Sequence, residues 1–315
     1  MNSRTLSSTS GFTDMHIYTA QQTAELLPFD ALVDALRTAA TEYADGLITS
    51  PERMVVPLGT DGVMLSMPAV AADIAIHKLV NVQPGNTARG LPTIHGQVAA
   101  FDSATGQPLF TLDGPVVTGR RTAAVSLLGI ETLLPTVPKS ILIIGTGTQA
   151  VHHVQALQAL YPLASIWIRS RSEARAQAFC ARYGRAPANL AVCPAQAIPE
   201  AVDVVITVTT SRTPVYDEAA LAGRLVVAVG AFTPDLVEIG GKTIGQSQLF
   251  ADDLAGARHE AGDFIQAGVD WNEVRPLVAA LPSWPRTDRP ILLKTVGCAA
   301  WDLAACRTAR RMMAG

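Results

Sequence analysis

Apolar residues first recur at helical spacing. Between positions 20 and 45, Leu26, Leu27, Leu32, Val33, Leu36, Ala39 and Ala40 return near every 3.6 residues, which predicts a helix. The period then shortens. Residues 53–58 and 62–67 read as strands around the turn Gly59-Thr60-Asp61-Gly62. Residues 74–82 and 96–102 alternate like further strands, and 108–112 answers the turn Ser103-Ala104-Thr105-Gly106 as a hairpin partner.

After Thr118 the pattern changes again. Residues 121–134 read as an Ala/Leu-rich helix, with Arg120 and Arg121 just ahead of its body. Ser140-Ile141-Leu142-Ile143-Ile144 is a continuous apolar run, the signature of a strand buried on both faces of a parallel sheet. Helices over 150–161 and 172–183, and strands over 164–168, 190–193, 202–208 and 225–229, then alternate, with a brief helix at 194–200. Such alternation predicts a doubly wound α/β sheet. Residues 292–313 read as a last helix that returns to the first domain. The expected organisation is a loose polar tail over 1–14, a strand-rich α+β domain over 15–125, a Rossmann-type doubly wound α/β domain over 126–291, and the returning helix over 292–315.

Composition narrows the function. Nearly half of the 315 residues are hydrophobic, 16% are charged and the net charge is −3, so a packed core is expected and a basic nucleic-acid footprint is missing. No apolar run reaches the length of a membrane span. The four cysteines form no CxxC pair and do not cluster with histidine, so they read as reduced, packed thiols of a cytoplasmic protein with no metal.

The strongest motif is Gly145-Thr146-Gly147-Thr148-Gln149-Ala150, which follows the apolar strand and opens a helix. Gly145 permits the tight turn, Gly147 lets a pyrophosphate approach the backbone, and Ala150 is small enough for close helix–strand packing. The helix N-terminus offers free N–H groups to the phosphates. At the end of the next strand, Arg169-Ser170-Arg171-Ser172 replaces the carboxylate that would receive a ribose 2′-hydroxyl. Guanidinium groups there fit a 2′-phosphate, so NADPH is the expected cofactor, with NADH as the alternative. Thr209 and Gly230 complete the expected cofactor contacts. Arg53, Lys78, Arg120 and Arg121 stand in mostly apolar surroundings, where a cation needs a partner such as a salt bridge or a substrate carboxylate. His152 and His153 read as surface or phosphate-proximal residues. His77 should face away from Lys78. His95 reads as a hydrogen-bonded structural residue. Asp252, Asp253, His259, Glu260 and Asp263 read as a solvated helix face, and Asp235 and Glu238 as groups that order the loop after Gly230.

Five segments resemble the ornithine cyclodeaminase/mu-crystallin family: Met67-Pro68-Ala69, HKLVNVQPGNTARGLPT over 77–93, VTGRRTAA over 117–124, IIGTGTQA over 143–150, and VGAFTPDLVEI over 229–239. They fall in family order at family spacing. The resemblance implies a nucleotide domain inserted in a substrate domain, and a homodimer. It implies that Arg53, Lys78 and Arg121 grip an amino- or imino-acid carboxylate, that Lys78 and Arg121 serve catalysis, that Thr93 lies near the nicotinamide amide, and that Gln149 belongs to the phosphate loop. The chain departs from the cyclodeaminases at Phe232, where they carry Asp, and at Leu65, where they carry an acid. A phenyl ring cannot pair with a side-chain ammonium. Phe232 and Leu65 instead suit an apolar wall against ring methylenes. The pattern looks like the family's ketimine reductases, which reduce Δ1-pyrroline-2-carboxylate and Δ1-piperideine-2-carboxylate to proline and pipecolate. An alanine dehydrogenase, an ornithine cyclodeaminase and a non-catalytic NADPH-dependent binding protein of mu-crystallin type remain the alternatives.

Overall fold

The computed structural model describes residues 15–184, 189–194, 198–199, 201–219, 221–282 and 289–315. The tail expected over 1–14 and most of the short helix expected at 194–200 lie outside the described residues.

The first sheet has six strands, ordered His16–Ile17, Pro108–Asp113, Ile94–Phe101, Ala75–Val82, Gly62–Val70, Met54–Leu58. All its pairings are antiparallel except that of the short first strand. Residues directly opposite one another share a face. One such row is Met67, Lys78, Val98 and Leu112, and the next is Ala69, Ile76, Ala100 and Phe110, all of them buried. Helices Gly114–Leu133 and Ala299–Ala314 pack on this face, and Phe29–Ala44 packs on both helices.

The single helix expected over 20–45 is two. A capping box at Thr19 starts Ala20–Glu25, and Pro28, which has no N–H to donate, stands at the start of Phe29–Ala44. The helix expected from Arg121 begins earlier, at Gly114. Asp113 accepts a hydrogen bond from the Val116 N–H, and Pro115 occupies the first turn, where a missing N–H is harmless. Arg120 and Arg121 therefore sit within the helix rather than ahead of it.

The second sheet has eight parallel strands, ordered Val274–Pro276, Gln248–Ala251, Ile291–Lys294, Leu225–Ala228, Val204–Thr207, Ser140–Ile144, Ser165–Arg169, Leu190–Val192. The expected doubly wound α/β sheet is present. Its order reverses at Ser140–Ile144, so a crevice opens beyond the carboxyl ends of that strand and Val204–Thr207. One expectation fails here. Residues 292–313 are not one helix: Ile291–Lys294 is a strand near the middle of this sheet, and the helix begins only at Ala299. Three apolar residues and a lysine, all buried, fit either element by periodicity, and the sheet decides. Gly297, at φ 75°, breaks the chain between them.

Candidate active site

The register aligns the carboxyl ends of five strands. Ile144, Thr207, Ala228, Lys294 and Ala251 stand side by side. The residues that follow, from Gly145 to Gly297, line one edge of the sheet.

Gly145 has φ 133°, and a Cβ there would meet the Val208 carbonyl at 2.8 Å. Gly147 faces open space and precedes helix Thr148–Leu160 without a side-chain cap, which leaves the first N–H groups of that helix free for an anion. Gln149 Oε1 is buried and has no hydrogen-bond partner. A cleft of about 490 Å³ runs from Gly145, Thr146 and Gly147 past Thr209 to Arg169, Ser170, Arg171 and Arg175. These features fit a dinucleotide: free donors at the helix start, room where a side chain would stand, and cations at the far end. Arg175, one turn into helix Glu173–Tyr183, is a member that sequence reasoning missed, because it reads as one more exposed helical charge. Thr148 opens the phosphate-loop helix, and Ser172 stands at the start of the next one. Thr93 is exposed, and its carbonyl accepts from the Gln83 N–H.

Behind the cleft a buried network holds the strand ends. Glu238 is fully buried, and its carboxylate accepts from the Thr209 N–H, the Gly230 N–H and the Thr207 hydroxyl. Burial pushes its pKa up, against the pull of Lys294. Lys294 pairs with Asp263 at 2.9 Å, both with no exposed side-chain area, and Asp263 accepts from the Glu238 and Ile239 N–H groups. Glu238 thus orders the chain at Gly230, as the sequence predicts. Asp235 bonds Thr233 and pairs with Arg212 nearer the surface.

Arg53 and Arg121 meet at Gly297, and Lys78 joins Arg121 at Asp302. Arg53 donates from Nη2 to the Gly297 carbonyl at 2.7 Å and to that of Val296 at 3.2 Å, while its Nε pairs with Glu260 at 2.8 Å. A Cβ on Gly297 would lie 2.3 Å from Arg121 Nη1, so only glycine lets that guanidinium approach. Lys78 Nζ lies 2.6 Å from Asp302 Oδ2, and Arg121 Nε lies 3.3 Å from Asp302 Oδ1. Burial pushes the Lys78 ammonium down to about 8, with Asp302 opposing and Arg121 assisting. Asp302 is fully buried on the last helix and holds two of the three cations. The sequence reading missed it, since a lone Asp in an amphipathic helix carries no signal of its own. Leu65 is opposite Val80 and on the same face as Lys78, while Phe232 is 42% exposed just beyond Gly230.

The polar cluster after Ala251 is not a solvated face, which corrects the sequence reading. Asp252 is buried and accepts from the Val296 and Gly297 N–H groups and the Trp301 indole. Asp253 is buried and pushed up to about 6 by burial and by Asp252. Glu260 is pushed up to about 7, mainly by burial. Only His259, paired with Glu52, stays at the surface. The histidine readings also change. His153 is fully buried, hydrogen-bonded to Ser126 and to the Gln149 carbonyl, and His152 packs on Gly119. Burial pushes both down to about 4, so they are neutral spacers between two helices. His77 does face away from Lys78 and bonds Ser66, while His95 is exposed.

A larger cavity, about 530 Å³ and lined by Gly241, Gln248 and Arg275, lies at the opposite edge of the sheet, where strand Gln248–Ala251 begins. No helix among the described residues is long and apolar enough to cross a membrane.

A doubly wound sheet with a glycine loop at its switch point, and a cationic cleft along the same edge, defines a nicotinamide-dinucleotide oxidoreductase. The family profile described as ornithine cyclodeaminase/mu-crystallin matches residues 13–307, and the chain belongs to that family. It is 56% identical over 298 residues to the Δ1-pyrroline-2-carboxylate/Δ1-piperideine-2-carboxylate reductase of Azospirillum brasilense, covering 95% of this chain and 96% of that one. It is 57% identical over 293 residues to a Δ1-pyrroline-2-carboxylate reductase of Burkholderia ambifaria, covering 93% and 94%. The fold matches that of Thermococcus litoralis Δ1-pyrroline-2-carboxylate reductase in complex with NADH and L-proline. The TM-score is 0.84 at 22% identity, with 95% of this chain and 98% of that chain covered.

Proposed function

We propose that this protein is a cytoplasmic, homodimeric reductase that uses NADPH to convert Δ1-pyrroline-2-carboxylate and Δ1-piperideine-2-carboxylate into L-proline and L-pipecolate. The observation that carries the reading is the linkage of Arg53 and Arg121 at Gly297 and of Arg121 and Lys78 at Asp302, at the sheet edge that also bears the glycine loop. The names of the relatives at 56% and 57% identity support the same substrates.

The bound dinucleotide supplies a hydride, which adds to C2 of the imine as a proton reaches the ring nitrogen. This chain's residues do the rest. Arg53, Lys78 and Arg121 hold the substrate carboxylate and so fix C2; orientation of this kind is worth about 7–11 kcal/mol of the barrier. Lys78, charged below about pH 8, also steers a protonated imine by keeping its carboxylate in place. Leu65 and Phe232 face the ring methylenes and leave no carboxylate to take a side-chain ammonium, which favours imine reduction over deamination of a diamino acid.

The arginines at 169, 171 and 175, with Ser170, line the cleft and support NADPH, because guanidinium groups bind a 2′-phosphate in two-pronged fashion. The four cysteines are free, as suits a reducing cytoplasm. The homodimer is supported by the face of the first sheet that no helix among the described residues covers, where Met64, Pro68, Leu79 and Phe101 stand among polar side chains.

The test is oxidation of NADPH and of NADH with each cyclic imino acid, and with pyruvate plus ammonia. Turnover is expected with both rings. Replacing Arg171 and Arg175 by alanine should raise KM for NADPH about tenfold or more and leave that for NADH unchanged. Turnover with pyruvate and ammonia alone would make the protein an alanine dehydrogenase instead.

A further inference from the structure

Two stretches of chain leave the carboxyl ends of neighbouring strands and wall the site. Residues 208–211 follow Val204–Thr207 and carry Thr209, which lines the dinucleotide cleft. Residues 229–236 follow Leu225–Ala228 and carry Phe232, which the proposed reaction sets on the substrate side. Both then enter a small two-stranded sheet, where Arg212–Tyr216 pairs with Val237–Ile239. Glu238 stands in the second of these strands, and its side chain reaches back to where both stretches begin.

The carboxylate divides its two oxygens between them. Oε1 accepts from the Thr209 N–H at 2.5 Å. Oε2 accepts from the Gly230 N–H at 2.5 Å and from the Thr207 hydroxyl at 2.9 Å. All three partners donate, and an ionised carboxylate is the acceptor-only group that suits them. Its O–C–O unit is rigid, so it fixes the spacing of the two stretches. Glu238 is itself held in place. Asp263 Oδ1 accepts from its N–H at 2.6 Å and from that of Ile239 at 2.9 Å, and Lys294 pairs with Asp263 at 2.9 Å.

We propose that Glu238 is a positioning residue for hydride transfer, setting the wall that carries Thr209 against the wall that carries Phe232, and so the dinucleotide against the imine. The inference rests on the reductase reading above. The side chain has no exposed area, so it acts through the two walls rather than on either ligand. Transfer between two held reactants is steep in geometry, and a misplacement of about 1 Å costs about a hundredfold in rate. The affinity of each ligand rests elsewhere, on the glycine loop and the arginines for NADPH and on the cationic clamp for the carboxylate.

Glu238→Gln keeps the length but replaces one oxygen by an NH₂ group, which meets an N–H donor and leaves one wall unanchored. Stopped-flow absorbance gives the saturated single-turnover rate of NADPH oxidation by Δ1-pyrroline-2-carboxylate. Fluorescence titration gives the dissociation constant of NADPH, and calorimetry that of pyrrole-2-carboxylate, a planar analogue of the imine. The rate should fall about tenfold or more, while each dissociation constant changes by about threefold at most. Thr207→Val, a milder change that takes one donor from Oε2, should lower the rate by about threefold with the same split. A group that only holds the fold together would lower the melting temperature and leave the rate of the folded protein alone. The parent rate in the folded Gln variant, or in Thr207→Val should the Gln variant not fold, therefore overturns the proposal. So does a loss carried by either dissociation constant at the parent rate. If the parent oxidises NADPH with neither cyclic imine, the reductase reading falls and this inference falls with it. If the parent turns over and the variants match it, only this inference falls.

Discussion

Asp302 lies under the clamp as its one shared counter-ion. Lys78 is 3% exposed and Arg121 8%, so neither can turn to water for compensation. Removing one partner of such a buried group costs about 3–5 kcal/mol, because the charge left behind stays desolvated. Asp302→Asn keeps the volume and loses the charge. Its melting temperature should fall accordingly, which thermal denaturation would register. A second effect has a definite sign. The ammonium of Lys78 binds a carboxylate and the neutral amine does not. Affinity for pyrrole-2-carboxylate should therefore weaken as pH rises through about 8. Asp302 is what holds that value up against burial, so in the Asn variant the decline should move to lower pH. An unchanged pH profile and an unchanged melting temperature together would remove Asp302 from this role. The contrast with its partners shows what the sequence makes legible. Arg53, Lys78 and Arg121 are cations in apolar surroundings, as Arg120 is, and the family resemblance singles out the three. Asp302 hides because helices carry single acids for many reasons, and its partners lie 181 and 224 positions away. Glu260 and Asp252 hide for the same cause, since burial of a polar run after a strand end depends on which strand lies beside it.

Strands and loops were easier to read than the elements between them. The run 140–144 and its glycine loop are where periodicity and turn chemistry place them. Ile291–Lys294 was not, because three apolar residues and a lysine followed by an alanine-rich stretch fit a helix equally well. Its identity is set by Leu225–Ala228 on one side and Gln248–Ala251 on the other, neither of which is local in sequence. The same non-local crowding governs Gly230. A Cβ there would lie 1.9 Å from the Thr209 carbonyl oxygen and 2.8 Å from Glu238 Oε1. Backbone cannot move aside as a side-chain tip can, so Gly230→Ala must push apart the ends of two adjacent strands. The expected result is a loss of about 2 kcal/mol or more in stability, in the range of core overpacking. NADPH affinity should fall as well, because Thr209 lines the dinucleotide cleft. Equilibrium denaturation and a fluorescence titration of NADPH would measure the two, and parent values in both would contradict the packing argument.

At the scale of the whole molecule, the helices among the described residues cover one side of the first sheet. Helices pack on the face that carries Lys78. The opposite face presents Met64, Pro68, Leu79, Ala99 and Phe101, all half-buried, with Val70 47% and Met54 63% exposed at its edge. Ser66, His77, Asn81 and Gln97 lie among them, and an uncovered face of this mixed kind suits an association surface. A stable pairing buries about 800 Å² on each partner, a demand that a flat six-stranded sheet can meet. An isologous contact between two copies satisfies it with one patch, and it leaves the dinucleotide cleft free in each. Leu79 is central to that face, directly opposite Ser66 on one side and Gln97 on the other. A charge there would meet its own symmetry-related copy or apolar neighbours across the contact. Leu79→Glu should therefore convert a dimer into monomers in sedimentation velocity. The circular dichroism of the monomer should stay that of the parent, because Leu79 points away from the core that the helices cover. Sedimentation of the parent as a monomer, or of the variant as an intact dimer, would place the subunit contact elsewhere. Because Lys78 is the next residue along the same strand, facing the other way, a dimer on this face would brace the strand that carries the clamp. The monomeric variant should consequently bind pyrrole-2-carboxylate more weakly while its NADPH affinity, set on the other sheet, holds.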